Sequence, residues 1–140
     1  MTSNFKEIRA AIVAKLLELD TVQESWGYDK SIFDGFPALV VVPSDNEADY
    51  GSTDKDRIVF NFKLRAYYIV KNESEMSAGE TALEEVVDEI LNTFRKRNVL
   101  GSVCDWVDPA PSIWEYETRG DAVYRTAEVS LRCVKYISKT

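Results

Sequence analysis

Histidine does not occur among the 140 residues of this chain. Its absence removes the commonest general base and the commonest metal ligand together. Cysteine occurs only at positions 104 and 133, too few for a disulfide scaffold. Cys133 shares a strand face with Val129 and Leu131, so a buried free thiol acting as a small apolar group is expected there. Basic charge is also short: 17 Lys and Arg stand against 24 Asp and Glu, a net charge of −7. That balance argues against wrapping nucleic acid, because phosphate contacts need a surplus of cations. No apolar run approaches the ~18–20 residues of a membrane span. The opening MTSNFKEIRAAI lacks the basic-then-apolar layout of a signal peptide, so a cytoplasm is the expected compartment. There is no Gly-rich phosphate loop and no G-x-S-x-G elbow, which leaves a hydrolase or nucleotide enzyme little to stand on. No catalytic residue, metal or cofactor is expected, and the chain is read as not an enzyme.

What is present is an ordinary globular composition, with 45% hydrophobic and 29% charged residues. It organises around Arg57 to Lys71, RIVFNFKLRAYYIVK. At period two, Ile58, Phe60, Phe62, Leu64, Ala66, Tyr68 and Val70 share one face, and Arg57, Asn61, Lys63, Arg65 and Lys71 the other, with Val59, Tyr67 and Ile69 interleaved. Alternation of this kind predicts one long strand with a buried side and a largely wet side.

Around it, Asn4 and Glu7 fit a capping box that opens a helix from Asn4 to Leu19, with Phe5, Ile8, Ile12, Leu16 and Leu19 on its stripe. Val22 to Tyr28 is a short candidate strand. Leu39 to Val42 is apolar on both faces, as in a covered strand, with Pro37 and Pro43 at its limits. Ser44 to Asp56, SDNEADYGSTDKD, is too polar to offset its ordering entropy and reads as a mobile loop with Tyr50 as its only large apolar side chain. Ser77 and Glu80 give a second capping box, and Ala82, Leu83, Val86, Val87, Ile90, Leu91 and Phe94 stripe a second helix. Short strands are expected at Val103 to Val107 and Ser112 to Thr118, then a turn at Arg119-Gly120-Asp121 and a strand from Ala122 to Ile137. The order α-β-β-α-β-β implies one α+β domain over residues 1–140. Its single, mainly antiparallel sheet has about four to six strands, with two amphipathic helices packed mainly on one face.

The motifs have plain explanations. Arg119-Gly120-Asp121 spells an adhesive tripeptide, but a hairpin turn accounts for it. Asp45, Glu47 and Asp49 start like a calcium loop, yet Tyr50 stands where the glycine belongs and Asp56 where the closing Glu belongs. Glu84, Glu85, Asp88 and Glu89 belong on a solvated helix face. Trp114 and Tyr116 share a hairpin face with Ser112, where aromatics serve either core or protein contact.

The segment Ile32-Phe33-Asp34-Gly35-Phe36-Pro37-Ala38-Leu39-Val40-Val41 is followed by an acidic loop holding Asp49-Tyr50, a long aromatic strand, an acidic helix and a C-terminal hairpin. This order resembles the tail terminator (tail completion) proteins of long-tailed bacteriophages over nearly the whole chain. The resemblance implies an α+β fold and a structural virion role. Such proteins cap the head-proximal end of the tail tube as a homohexameric ring, end polymerisation and dock the head connector. The implied partners are other copies of the chain, the major tail tube protein and a head connector or head-completion protein, with DNA only passing through the lumen. The implied location is the neck of the virion, after assembly in the host cytoplasm, and Asp49, Tyr50, Trp114 and Tyr116 are the candidate interface residues. The alternatives are another neck or head-to-tail joining protein, or a small peptide- or ligand-binding module.

Overall fold

A computed structural model describes residues 4–30, 32–49, 55–96 and 100–138. Its elements are α1 (Asn4–Leu17), β1 (Glu24–Trp26), β2 (Ala38–Asp49), β3 (Lys55–Val70), α2 (Glu73–Phe94), a 3₁₀ turn (Gly101–Val103), β4 (Trp106–Arg119) and β5 (Ala122–Ser138). The strands form one five-stranded sheet in the order β1-β2-β3-β5-β4. β1 runs parallel to β2 and every other pairing is antiparallel. The α+β architecture therefore agrees with the sequence reading.

β3 is the spine. All 16 of its residues pair with β5 without a register shift, from Lys55↔Ser138 to Val70↔Val123. On the face under the helices, Phe60, Phe62, Leu64 and Ala66 lie buried with Leu39 and Val41 of β2 and Ala127, Val129, Leu131 and Cys133 of β5. Both helices close over this face. α1 supplies Ile8, Ile12 and Leu16, and α2 supplies Leu83, Val86, Val87, Ile90 and Phe94. Phe5 caps the layer edge-on to Phe60, with ring centroids 4.8 Å apart. The two helices are tied where α1 ends, since Thr21 donates from its N–H and its Oγ1 to Glu89 Oε1, at 3.2 and 2.7 Å.

The opposite face of β3 is less wet than its charges suggest. Tyr67 on that face is fully buried. It belongs to a second, smaller core with Phe33, Ala38, Val40 and Tyr124, against which Trp26, Phe36 and Ile69 pack. The apolar run into β2 is thus covered on both sides, as its composition implied. The Phe36-Pro37-Ala38 box is the point where the covering segment turns into the sheet.

Several boundaries differ from expectation for local physical reasons. α1 starts at Asn4 itself and stops at Leu17, so Asn4 is a helical residue rather than the cap, and Leu19 lies beyond the helix. α2 begins four residues ahead of Ser77. Asn72, in extended conformation, accepts the Glu75 N–H at 3.0 Å, while the Glu75 carboxylate takes the Lys71 N–H at 2.8 Å. Those two bonds, close to a capping box but shifted by one residue on the Glu75 side, turn the supposed connector into the first turn of the helix. Of the polar stretch read as a mobile loop, residues 50–54 lie outside the described residues, and the described parts are strand: β2 runs on to Asp49, and β3 starts at Lys55. Asn46 to Asp49 pair with Phe60 to Arg57, so the ladder carries on through a segment whose composition gave no strand signal. A register shift between Pro43 and Asn46 accommodates the break in the apolar pattern. Likewise, the two expected short strands around Asp108-Pro109-Ala110-Pro111 are one strand, β4, with its irregularity between Pro111 and Trp114. An edge strand tolerates proline, because the missing N–H can face away from the sheet.

A candidate protein interface

β4 forms one edge of the sheet, paired on one side with β5 and, among the described residues, unpaired on the other. Its first half carries Pro109 and Pro111, which remove N–H donors. Its second half, from Ile113 to Arg119, is free of proline and presents Ile113, Trp114 and Tyr116 to solvent. Trp114 is 37% and Tyr116 47% exposed, and neither belongs to a core cluster. The ambiguity left by the sequence is therefore resolved toward the surface.

Both rings are held in place from beneath. The Arg125 guanidinium of β5 lies 4.7 Å from the Tyr116 ring centroid and 5.6 Å from that of Trp114. Glu80 of α2 pairs with Arg125 without being aligned as a hydrogen-bond acceptor of its Nε. An acid on the helix thus fixes a cation that fixes two aromatic faces, and cation–π contacts of this kind are worth ~0.5–1 kcal/mol at exposed sites. Beside them, Val70, Met76, Tyr116 and Val123 line a mostly apolar groove of about 360 Å³ between the start of α2 and the hairpin. Past Val70 and Val123 it adjoins a cleft of about 640 Å³ that reaches Ile32, Ile69, Arg119 and Tyr124.

On the other face of the same hairpin lies a charged network that sequence reasoning missed. Arg65 donates to Glu128 at 3.0 Å, and Glu128 is only 3% exposed. Arg119 donates to Glu117 at 2.8 Å, to the Tyr67 hydroxyl at 2.8 Å, to the Lys30 carbonyl at 2.8 Å and to Asp29 at 3.1 Å. Burial pushes the Tyr67 phenol above its ordinary value, against the pull of Arg65 and Arg119. Arg119 is therefore committed to the sheet, and Gly120 supplies the positive φ of 58° that the turn after it requires. This is the hairpin explanation of the Arg-Gly-Asp tripeptide, seen in atomic terms. The only signal in the sequence was the alternation of Arg65, Tyr67, Glu117, Arg119 and Glu128 on one strand face, which does not say which charges meet.

Of the four residues singled out from the sequence, Asp49 does not converge with Trp114 and Tyr116. Tyr50 lies outside the described residues, and for Asp49 the structure describes the backbone, at the last pair of β2 with Arg57. Through β5, Trp114 stands level with Ala66. Arg57 and Ala66 are separated by nine steps of β3, so Asp49 sits roughly 30 Å along the sheet from Trp114. Any interface that Asp49 and Trp114 both serve is either extended or double. Among the described residues, no three or more Cys, Asp or Glu side chains are grouped so as to hold a metal ion. No helix of the described residues is long and apolar enough to cross a membrane. No protein-family model matches this chain, and no curated protein matches it.

Proposed function

We propose that the protein is a structural component of a bacteriophage virion, a tail terminator that closes the head-proximal end of the tail tube as a six-membered ring and offers the head connector its docking surface. The observation that carries the reading is the aromatic half of the β4 edge, where Ile113, Trp114 and Tyr116 are exposed beside an apolar groove. Aromatic side chains concentrated on an accessible surface are frequent anchors of protein–protein contact. The edge sits on the α+β fold that the resemblance around Phe36-Pro37-Ala38 implies. The net charge of −7 suits a ring through which DNA slides without sticking. On this reading the protein has no catalytic role, and its partners are its own copies, the tail tube protein and a connector protein.

A cap on a six-fold tube must match its symmetry, and head-to-tail contacts close into a ring when the rotation permits. Electron microscopy of tails assembled with this protein is expected to show a six-fold ring at one end of each tube. Five-fold or twelve-fold copies, or strictly monomeric ones, would defeat the proposal.

A further inference from the structure

Cys104 and Cys133 are far apart in the sequence and both are buried, yet they meet. Asp105 donates its N–H to the Val134 carbonyl at 2.8 Å, and Val107 pairs with Cys133 in the ladder, so the chain entering β4 runs directly alongside the last third of β5. Both thiols belong to the core under the helices, are free, and stand in side-chain hydrogen-bond contact with each other. A solitary buried cysteine behaves as an inert small hydrophobe. Two thiols in contact are a different chemical object, because each is the other's nearest reaction partner.

We infer that Cys104 and Cys133 form an oxidation site, a dithiol that hydrogen peroxide closes to an intrachain disulfide fastening the start of β4 to β5. The roles of the two sulfurs are unequal. The hydrogen bond from Cys133 holds the Cys104 thiol below its ordinary value, with Lys135 helping, against its own burial and against Asp105. The same contact, together with burial, raises Cys133, which keeps its proton. Cys104 is also the one with some exposure, 5% against none for Cys133. The Cys104 thiolate attacks one peroxide oxygen; the O–O bond breaks, the departing hydroxide takes up a proton, and Cys104 becomes a sulfenic acid. The Cys133 sulfur then attacks the Cys104 sulfur, forming S–S and breaking S–O, and the oxygen leaves as water with the Cys133 proton. In sum, two thiols and one peroxide give one disulfide and two waters. The bridge closes β4, the turn and β5 as far as Cys133 into a covalent loop. It does not depend on the tail reading.

The test uses the intact chain. After exposure to hydrogen peroxide, the protein is unfolded in iodoacetamide and weighed. The expected species is lighter by two hydrogens, carries no alkyl adduct, stays monomeric on a non-reducing gel, and melts ~5 °C or more higher until reduced, the usual scale for a disulfide in a domain of this size. Cys104→Ser should leave Cys133 alkylatable after peroxide. Cys133→Ala, or Cys133→Ser if the former does not fold, should stop at a Cys104 sulfenic acid that dimedone traps. Wild-type protein that still takes two alkyl groups, that forms disulfide-linked dimers, or that reaches sulfinic acid without a disulfide would overturn the inference.

Discussion

Single side chains in this protein do their work by pairing across segments rather than by standing in a cleft. Glu24, on the short first strand, is a clear case. Its carboxylate accepts Trp26 Nε1 at 2.8 Å and the backbone N–H groups of Asp34 and Gly35, pinning the segment that covers Tyr67. Burial works against its charge, but the three donors and Lys30 outweigh it and hold the carboxyl below its ordinary 4.5. A carboxyl lowered in the folded state contributes stability that is full above the unfolded value and is lost as pH falls through the folded one. Melting temperatures of wild type and Glu24→Gln should therefore differ at pH 7 and converge as pH drops below about 4. A constant difference down to pH 2 would show that the charge is irrelevant there.

At the scale of elements, periodicity told most of the story, and what it could not tell was pairing. The β3 alternation of Phe60, Phe62, Leu64 and Ala66 named the core face correctly, because burial alone dictates that pattern. Burial of Tyr67 on the other face was hidden, since it comes from Phe33 and Phe36, which no local period connects to it. The strand character of Ser44 to Asp49 was hidden for a related reason: backbone hydrogen bonds to a partner strand leave no trace in composition. Trp114 and Tyr116 were legible as a pair on one face, but Arg125 and Glu80 beneath them were not. Helix capping lies between these cases. Asn72 was overlooked because Ser77 and Glu80 offered an equally good box one turn later, and the cap at Asn72 prevails because it lets α2 gain a further turn. Asn72→Ala should thus cost about 1 kcal/mol of folding free energy, and Asn72→Asp much less. Thermal or chemical denaturation decides it, and a larger loss for Ser77→Ala would place the cap where the sequence first suggested.

For the whole molecule, the arrangement divides labour between two faces and two edges. Helices seal one face, and the Arg65–Glu128 and Arg119–Glu117 pairs occupy the other. One edge is the three-residue β1, and the opposite edge is the fourteen-residue β4. β1 covers only Ala38 to Val40 of β2, so among the described residues both margins of the sheet offer backbone to a partner, and β4 is the one that also exposes a cluster of aromatic side chains. On the tail reading, joint replacement of Trp114 and Tyr116 by alanine should cost about 1 kcal/mol or less per site in stability, as for most substitutions near a surface. The same variant should fail to limit tail length when tails are measured by microscopy. Normal tails from a fully folded variant would exclude this edge from the contact.

The two irregular registers, after Pro43 in β2 and after Pro111 in β4, flank a β3–β5 pair that has none. Each outer strand is therefore attached in two runs and the inner pair in one. Amide protons will report this as a gradient: those shared by β3 and β5 exchange with solvent only when the entire chain opens, whereas the outer runs can detach one at a time at far smaller free energies. Native-state excursions begin at the margins and halt at the central ribbon, so the protein can loosen a rim without risking its fold.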